Sequence, residues 1–399
     1  MSSPVNRPLM AAAALGMVVT FGAGWAVGHS GDDEKNSAER TVATPAPVMP
    51  PTPAPTESSS TDGSGDAMEY EQLDDGSGEE VGTAAARAKL PAVNKWKKAP
   101  IGVFTCPKAT VKVATSDQLQ KALDTAEPGA SIQLADGLYN GEFRTTRDGS
   151  AAKPIYLCGS RNAVIDAGAI KGGYALHFDG ATNWRVDGFT VRNGQKGVMV
   201  DRGRGIGLQN LLVERIGDEA VHLRTSSRRN VVRGLTIRDT GNRKPKFGEG
   251  IYIGTAESNW CEYTDCKPDP SNDNFILNNR ISGTTAENVD IKEGTSGGVL
   301  NGNRFDGSAM TEGDSWVDVK GNGWLISGNI GVDSRADGYK VIEILDGWGW
   351  RNLFSANRST VRGNGYAINV TKRHSGNVVR CNNTARNAGE GASTVKCRK

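Results

Sequence analysis

Histidine is rare in this chain, four in 399 residues, and none of the six cysteines forms a C-x-x-C pair. Together these absences exclude the clustered sulfur and imidazole ligands of a structural zinc site. A glycine-rich stretch, "GRGIGLQN" (203–210), leads into a strand-like run rather than a helix, which excludes a phosphate loop. Charge is missing from residues 9–28, "LMAAAALGMVVTFGAGWAVG", with Arg7 before them and an acidic run from Asp32 to Glu34 after. An uncharged run of this length can span a bilayer, and the flanking charges orient it for export. No clear A-x-A cleavage site closes it, so residues 1–29 read as a signal peptide or an N-terminal membrane anchor. Large apolar residues are scarce from 30 to 97, a span that includes "TPAPVMPPTPAPTESSSTDGSGD". Such a segment buries too little apolar surface to offset its ordering entropy, and a disordered Pro/Ser/Thr/acidic linker is predicted there.

Net charge is nearly absent from the whole chain, 47 basic against 45 acidic residues, but not from its parts. Residues 30–88 carry 13 acids and three bases, which leaves 43 basic against 32 acidic residues from 89 onward. A basic domain, expected over residues 98–399, therefore follows an acidic tether, and basic domains favour polyanionic partners. All six cysteines lie in that domain. An even count beyond an export segment points to disulfides in an extracytoplasmic protein, secreted or anchored at the cell surface. Six cysteines allow fifteen pairings, of which nearest-neighbour pairing is the simplest: Cys106 with Cys158, Cys261 with Cys266 and Cys381 with Cys397.

What is abundant is glycine, 51 residues, and a recurring short β-like run. The first strands of the units read "ALHFDG" (175), "GVMVDRG" (197), "AVHLRTS" (220), "GIYIGTA" (250), "NVDIKEG" (288), "WVDVKGN" (316), "VIEILDG" (341) and "AINVTKR" (367). A second strand follows each, such as "NFILNNRI", "GVLNGNRF" and "GWLISGNI". Within the second strands an Asn column runs through Asn210, Asn279, Asn303, Asn329, Asn357 and Asn383, with Gly188 and Gly234 in the earlier units. Asn suits left-handed turns and can bond local backbone. Repeated at one position, it can stack coil on coil. Many short β runs with few helical patterns point to an all-β parallel solenoid.

The unit pattern, the Asn column and the opening "TSDQLQKALDTAEPGASIQLADGLYN" resemble the right-handed parallel β-helix proteins of the pectate-lyase-like superfamily. In that opening, 116–126 would form an N-terminal capping helix with Leu119, Ala122 and Leu123 inward. The "E-N-V-D-I-K" neighbourhood is similar to chondroitinase-B-like and alginate-lyase-like β-helices.

Side chains alternate between the faces of a strand. With Val289 and Ile291 inward, Asp290 and Lys292 point out. Aligning the first strands gives one outward column of His177, Met199, His222, Tyr252, Asp290, Asp318, Glu343 and Asn369. The neighbouring column is Asp179, Asp201, Arg224, Gly254, Lys292, Lys320, Leu345 and Thr371. Asp290, Asp318 and Glu343 would then form a carboxylate ladder on consecutive rungs about 4.8 Å apart. Either Lys292 and Lys320 compensate it as an exposed ion-pair ladder, or the oxygens converge on Ca²⁺. Two insertions flank these rungs, 240–250 with Arg243 and Lys246, and 254–274 with Trp260. Trp348 and Trp350 lie just beyond Glu343. Tyr252 and these aromatic and basic residues are the expected sugar contacts. His177 and His222 are expected to be exposed or weakly involved.

The resemblance implies a polysaccharide lyase acting on a uronic-acid polymer. A cation neutralises the substrate carboxylate and a basic side chain removes the adjacent C–H proton. Asp290, Asp318 and Glu343 would be metal or electrostatic ligands, Lys292 or Lys320 the base, and Arg224 or Arg243 a carboxylate clamp. The partner expected is an acidic polysaccharide rather than nucleic acid, met by a monomer. A glycoside hydrolase on the same fold is one alternative, although the repeats lack the "NTDG" and "DD" patterns of polygalacturonase-like hydrolases. A non-catalytic protein that binds glycan or cell wall is the other.

Overall fold

The computed structural model describes residues 98–399, so the segments expected over 1–29 and 30–97 lie outside the described residues. Within the described part three sheets of 11, ten and ten strands stack in parallel register. They form a parallel β-solenoid of about ten coils, each coil giving one strand to each sheet. The first sheet runs from Val111–Val113 to Val378–Val379, the second from Phe143–Thr145 to Gly391–Ser393, and the third from Gly137–Asn140 to Thr384–Arg386.

The second strand expected in each repeat is in fact two strands in two sheets. One coil shows why. Trp184–Asp187 puts Trp184 and Val186 inside, Gly188 turns the chain, and Thr190–Arg192 puts Val191 inside. Lys196–Asp201 then carries Val198 and Val200 into the core. The turning residue has positive φ in successive coils: Gly188 (97°), Asn210 (51°), Gly234 (65°), Asn278 (55°), Gly302 (69°), Gly328 (62°) and Ala356 (54°). Glycine and Asn tolerate this left-handed region best. Asn210 therefore belongs to this corner column, together with Gly188 and Gly234, and not to the Asn ladder.

The ladder itself starts one residue later in the chain and is made of Asn279, Asn303, Asn329, Asn357 and Asn383. Asn279 Nδ2 donates to Asn303 Oδ1 (2.9 Å), Asn303 to Asn329 (2.9 Å), Asn329 to Asn357 (3.0 Å) and Asn357 to Asn383 (2.9 Å). Each Oδ1 also accepts the backbone N–H of the ladder residue one coil earlier, as Asn329 Oδ1 does from Asn303 N (2.9 Å). In the earlier coils Leu211 and Leu235 fill this position with apolar bulk.

The core is built by like residues in register. Val198, Val221, Ile251, Val289, Val317, Tyr339 and Ile368 stack along the inner face of the second sheet. Trp316 fits because its neighbours are glycines: a Cβ on Gly331 would lie 2.4 Å from the indole, and one on Gly338 2.7 Å. At the N-terminal end a helix, Ser116–Thr125, buries Leu119, Ala122 and Leu123. Thr115 Oγ1 caps the helix by accepting from Gln118 N (3.3 Å), and Gln118 Oε1 reaches back to accept from Ala114 N (2.8 Å).

Three disulfides join Cys106 to Cys158, Cys261 to Cys266 and Cys381 to Cys397. With no cysteine left free, they mark an oxidising, extracytoplasmic setting. No helix among the described residues is long and apolar enough to cross a membrane.

Replacing Asn329 by Ala would leave the buried N–H of Asn303 without its acceptor, while Asn303 Nδ2 would keep Ile276 O (2.9 Å). A loss of about 1–3 kcal/mol for the orphaned donor is expected. Urea unfolding checks it, and an unchanged midpoint would contradict the ladder's structural weight.

Candidate functional site

The outer face of the second sheet carries one continuous column: His177, Met199, His222, Tyr252, Asp290, Asp318, Lys340 and Asn369. Glu343 is not in it. In the coil "ADGYKVIEILDG", Tyr339 and Val341 take the inward positions, which puts Lys340 beside Asp318 and ends the strand at Val341. Glu343 lies past the strand, where it binds Lys372, Trp350 Nε1 (3.1 Å) and Gly347 N (3.0 Å). Leu345 is displaced in the same way, and Ile342 takes its place, bonded to Val319 O (3.1 Å). The apolar alternation runs on past Val341 through Ile342 and Ile344, which is why the sequence alone set this register wrongly.

Asp290 and Asp318 do stack on adjacent rungs. Lys320 Nζ sits between them, 2.8 Å from Asp290 Oδ1 and 2.9 Å from Asp318 Oδ2. Lys292 Nζ lies 2.8 Å from Asp290 Oδ2 and 4.9 Å from the centroid of the Tyr252 ring. Ser315 Oγ donates to Asp318 Oδ1 (2.8 Å). The group is not an exposed ladder: the side chain of Asp290 is 3% exposed, Lys320 8% and Lys292 15%. Burial opposes charge on both lysines, but Asp290 outweighs it and holds them above the usual ammonium range. Burial likewise opposes ionisation of Asp290, and Lys292 and Lys320 reverse the balance and hold its carboxyl below its ordinary value.

Calcium requires six to eight oxygen ligands. Both oxygens of Asp290 and one of Asp318 already face ammonium groups, and Glu343 is elsewhere. The set Asp290, Asp318 and Glu343 therefore does not fit the ion.

A second carboxylate column escaped the sequence reading. Glu219, Glu249 and Glu287 occupy successive rungs beside the first column: Ala220 N bonds Glu249 O (3.1 Å) and Gly250 N bonds Glu287 O (3.0 Å). The signal was a Glu three residues before His222, Tyr252 and Asp290 in three consecutive units. One oxygen each of Glu249, Glu287 and Asp290 lies within 4.8 Å of the others, as do those of Glu287, Asp314 and Asp318. Burial works against charge on Glu219, yet His222 and Lys196 bring it down to about 2. Glu249 has no such partner among the described residues: burial, then Glu219, Asp290 and Glu287, push its carboxyl far up. Burial, then Asp318 and Asp290, raise Glu287 to about 8.

Arg224 is buried and bound to Asp201 through Nε (2.7 Å) and Nη2 (3.1 Å), with the Tyr263 ring 4.0 Å from Cζ. Tyr263 comes from the disulfide-closed insertion. Asp269 ties that insertion down, accepting from Thr225 N, Ser226 N and Thr255 Oγ1 (each 2.7 Å) and from Ser271 Oγ (2.8 Å). Trp260 is buried inside the insertion, its Nε1 on Thr255 O (2.9 Å). Arg243 pairs with Asp218 (Nε to Oδ1, 2.9 Å), and Lys246 is exposed beside Phe247. Trp348 and Trp350 are half-buried. Their loop meets the sheet where Gly349 N donates to Lys320 O (2.9 Å). His177 is half-buried on Asp201 (3.0 Å). His222, contrary to expectation, is buried, its Nε2 on Gly254 O (2.9 Å) and its ring 4.5 Å from that of Tyr252. Burial keeps its imidazole neutral below the usual pKa, against the pull of Glu219.

Glu287 gives a pH signature. Its folded pKa lies above the 4.5 of the free side chain. The folded state therefore holds a proton that the unfolded chain releases, and stability falls as pH rises from about 4.5 towards 8. Glu287→Gln is expected to flatten that decline in Tm. An equal slope in the variant would show that Glu287 ionises normally.

No family model and no curated protein matches the sequence. Solved structures do. The alginate lyase from Paenibacillus sp. str. FPU-7 is 32% identical, with a TM-score of 0.67 over 71% of this chain and 97% of that one. The PL6 family alginate lyase AlyGC is 17% identical, TM-score 0.52, over 71% of this chain and 40% of its own. Pectate lyase Pel9A is 14% identical, TM-score 0.50, over 69% and 72%. The latter two share the fold. The first, matched over nearly its whole length, shares the family, and this chain accordingly belongs with it among the pectate-lyase-like parallel β-helix proteins.

Proposed function

We propose that the protein is an extracytoplasmic polysaccharide lyase that cleaves a uronic-acid polymer by β-elimination, with alginate the first polymer to test. The observation that carries the reading is the Tyr252–Lys292–Asp290–Lys320 cluster on the outer face of the second sheet, in a chain 32% identical to an alginate lyase. Elimination needs three things: neutralisation of the carboxylate next to the acidic C–H, a group that takes that proton, and a group that gives one to the departing glycosidic oxygen. The C–H electrons become the new C=C bond as the C–O bond breaks, and no water is consumed.

Lys320, fixed between two aspartates, stays charged and supplies positive potential. Lys292 is the more accessible ammonium and stands over the Tyr252 ring. These two are the proton-transfer pair. Lys292 is charged at rest, while burial, then Asp290 and Glu249, keep Tyr252 a neutral phenol. Both therefore begin as acids, and one must lose its proton before the reaction can start. Arg224 is bound by Asp201 and steadies Tyr263 rather than reaching for substrate, so the carboxylate clamp falls to Lys320. Ammonium groups already face both oxygens of Asp290 and one of Asp318, and no step is assigned to Ca²⁺.

Incubation with alginate is expected to raise the ultraviolet absorbance of conjugated, unsaturated uronate ends, and EDTA is expected to leave the rate unchanged. New reducing ends without that absorbance would mean a hydrolase. Binding without either would mean a glycan-binding surface protein. Loss of rate on chelation, restored by Ca²⁺, would put a cation into the mechanism.

Lys292→Ala and Tyr252→Phe are each expected to lower kcat/KM by about a hundredfold or more. The wild-type kcat/KM should rise with pH. Asp290→Asn removes the anion that holds both pKa values up, and it should move that rising limb to lower pH. A limb that stays in place would remove the pair from proton transfer.

A further inference from the structure

The third sheet treats the arginines on its outer face in two ways. In the earlier coils each meets an acid one rung away: Arg192 Nε binds Asp166 (2.6 Å) and Arg238 Nη2 binds Glu214 (2.6 Å). From Arg280 the pairing stops. Arg280, Arg304, Ile330, Arg358 and Thr384 follow one another in register, with Ile281, Phe305 and Ser359 turned inward beside them. Arg386 stands beside Thr384 at the end of the neighbouring outward column. All four of these arginines are exposed. Among the described residues none of their guanidinium groups has an ion pair or a hydrogen bond. The one acid in the two columns over these coils, Asp306, accepts from Ser308 N (2.9 Å). Arg280 and Arg304 are on adjacent rungs, about 4.8 Å apart, and Arg386 is four rungs beyond Arg280, about 19 Å. Like charges directly opposite each other destabilise a sheet, so a fold that pairs its earlier arginines leaves these open at a cost. Their strands lead into those of Asp290, Asp318, Asn369 and the last coil, so the file runs along the solenoid beside the buried cluster, one sheet away.

We propose that Arg280, Arg304, Arg358 and Arg386 form an accessory track that holds a stretch of acidic polysaccharide outside the cleaving face. The identity of the polymer rests on the uronic-acid reading above, but the track does not require that the polymer be cut. Three features select this occupant. The cations are guanidiniums, whose planar fork meets a carboxylate with two parallel hydrogen bonds. They stand in a line along the solenoid rather than in a broad patch, which suits a linear chain bearing one carboxylate on each sugar. Over these coils neither column carries an aromatic ring on which a nucleic-acid base could stack. The apolar members, Ile330 and Val332, are half-buried and offer a bilayer no apolar face to take up. Holding one stretch of polymer on the track raises the effective concentration of the next stretch at the cluster.

Equilibrium binding to long-chain alginate tests this. The full chain carrying Lys292→Ala serves as the parent, so that binding is read whether or not the wild type cuts. Arg280→Gln, Arg304→Gln and Arg358→Gln together are expected to weaken binding about tenfold or more and to make it less sensitive to salt. Lys112→Gln, Lys121→Gln and Lys153→Gln remove the same charge from exposed positions near the N-terminal end of the solenoid. That set should change the affinity by less than about twofold, since exposed charges far from the ligand are screened. Unchanged affinity in the arginine variant would overturn the proposal. So would an equal loss in the lysine variant, which would make net charge the cause. Tighter binding of phosphatidylglycerol vesicles or of DNA through the same arginines would also overturn it, by giving the face another occupant. Absence of unsaturated products from the wild type would sink the lyase reading and not the track.

Discussion

Every coil of this solenoid lies about 4.8 Å from the next, so whatever occupies one position must tolerate its own kind above and below. For apolar residues the constraint is an advantage, and Val198 to Ile368 make a continuous inner stack. For Asn it is equally favourable, because the amide donates to the coil after it and accepts from the coil before. For carboxylates it is a liability, since like charges at this spacing repel unless a cation is placed between them. The outer face of the second sheet is where that liability is concentrated, and its resolution defines the site.

The resolution is uneven. Lys196 meets Glu219, Lys292 and Lys320 share Asp290, and Lys320 also takes Asp318. Among the described residues Glu249 and Glu287 have no cation of their own, and their carboxyls hold protons well above the ordinary range. The face therefore pairs a row of fixed ammonium groups with a row of neutral or shared carboxyls. A fold seeking stability alone would fill these positions with Thr or Val. Buried charge kept at such a cost in desolvation is what a surface that must attract and polarise a polyanion would retain.

Much of this was legible in the sequence because the repeat is strict where the physics is strict. The Asp290–Asp318 stack follows from one inward-outward alternation, and so does the Tyr252 position beside it. The Asn ladder was visible from Asn279 onward but acquired Asn210, because the corner residue and the ladder residue are adjacent and both accept Asn. The three strands per coil were hidden because no single residue type marks the corner: Gly, Asn and Ala all serve. Glu343 was misplaced because the alternation "VIEI" continues past the strand's end, where only the loop bonds to Lys372 and Trp350 reveal that the sheet has stopped. The Glu219–Glu249–Glu287 column was written in the sequence three residues ahead of the first column. Burial was not: nothing in "NVDIKEG" says that its charged side chains lie buried, Asp290 at only 3% exposure.

The central claim is that this buried cluster breaks a glycosidic bond without adding water. Digestion of a uronic-acid polymer in heavy-oxygen water, followed by mass spectrometry of the fragments, measures that directly. Fragments whose new ends are unsaturated and carry no label, formed by the wild type and lost in Lys292→Ala and Tyr252→Phe, are the result expected. Heavy oxygen in the new ends would mean hydrolysis, and intact polymer would mean that the face binds without cutting; either contradicts the account.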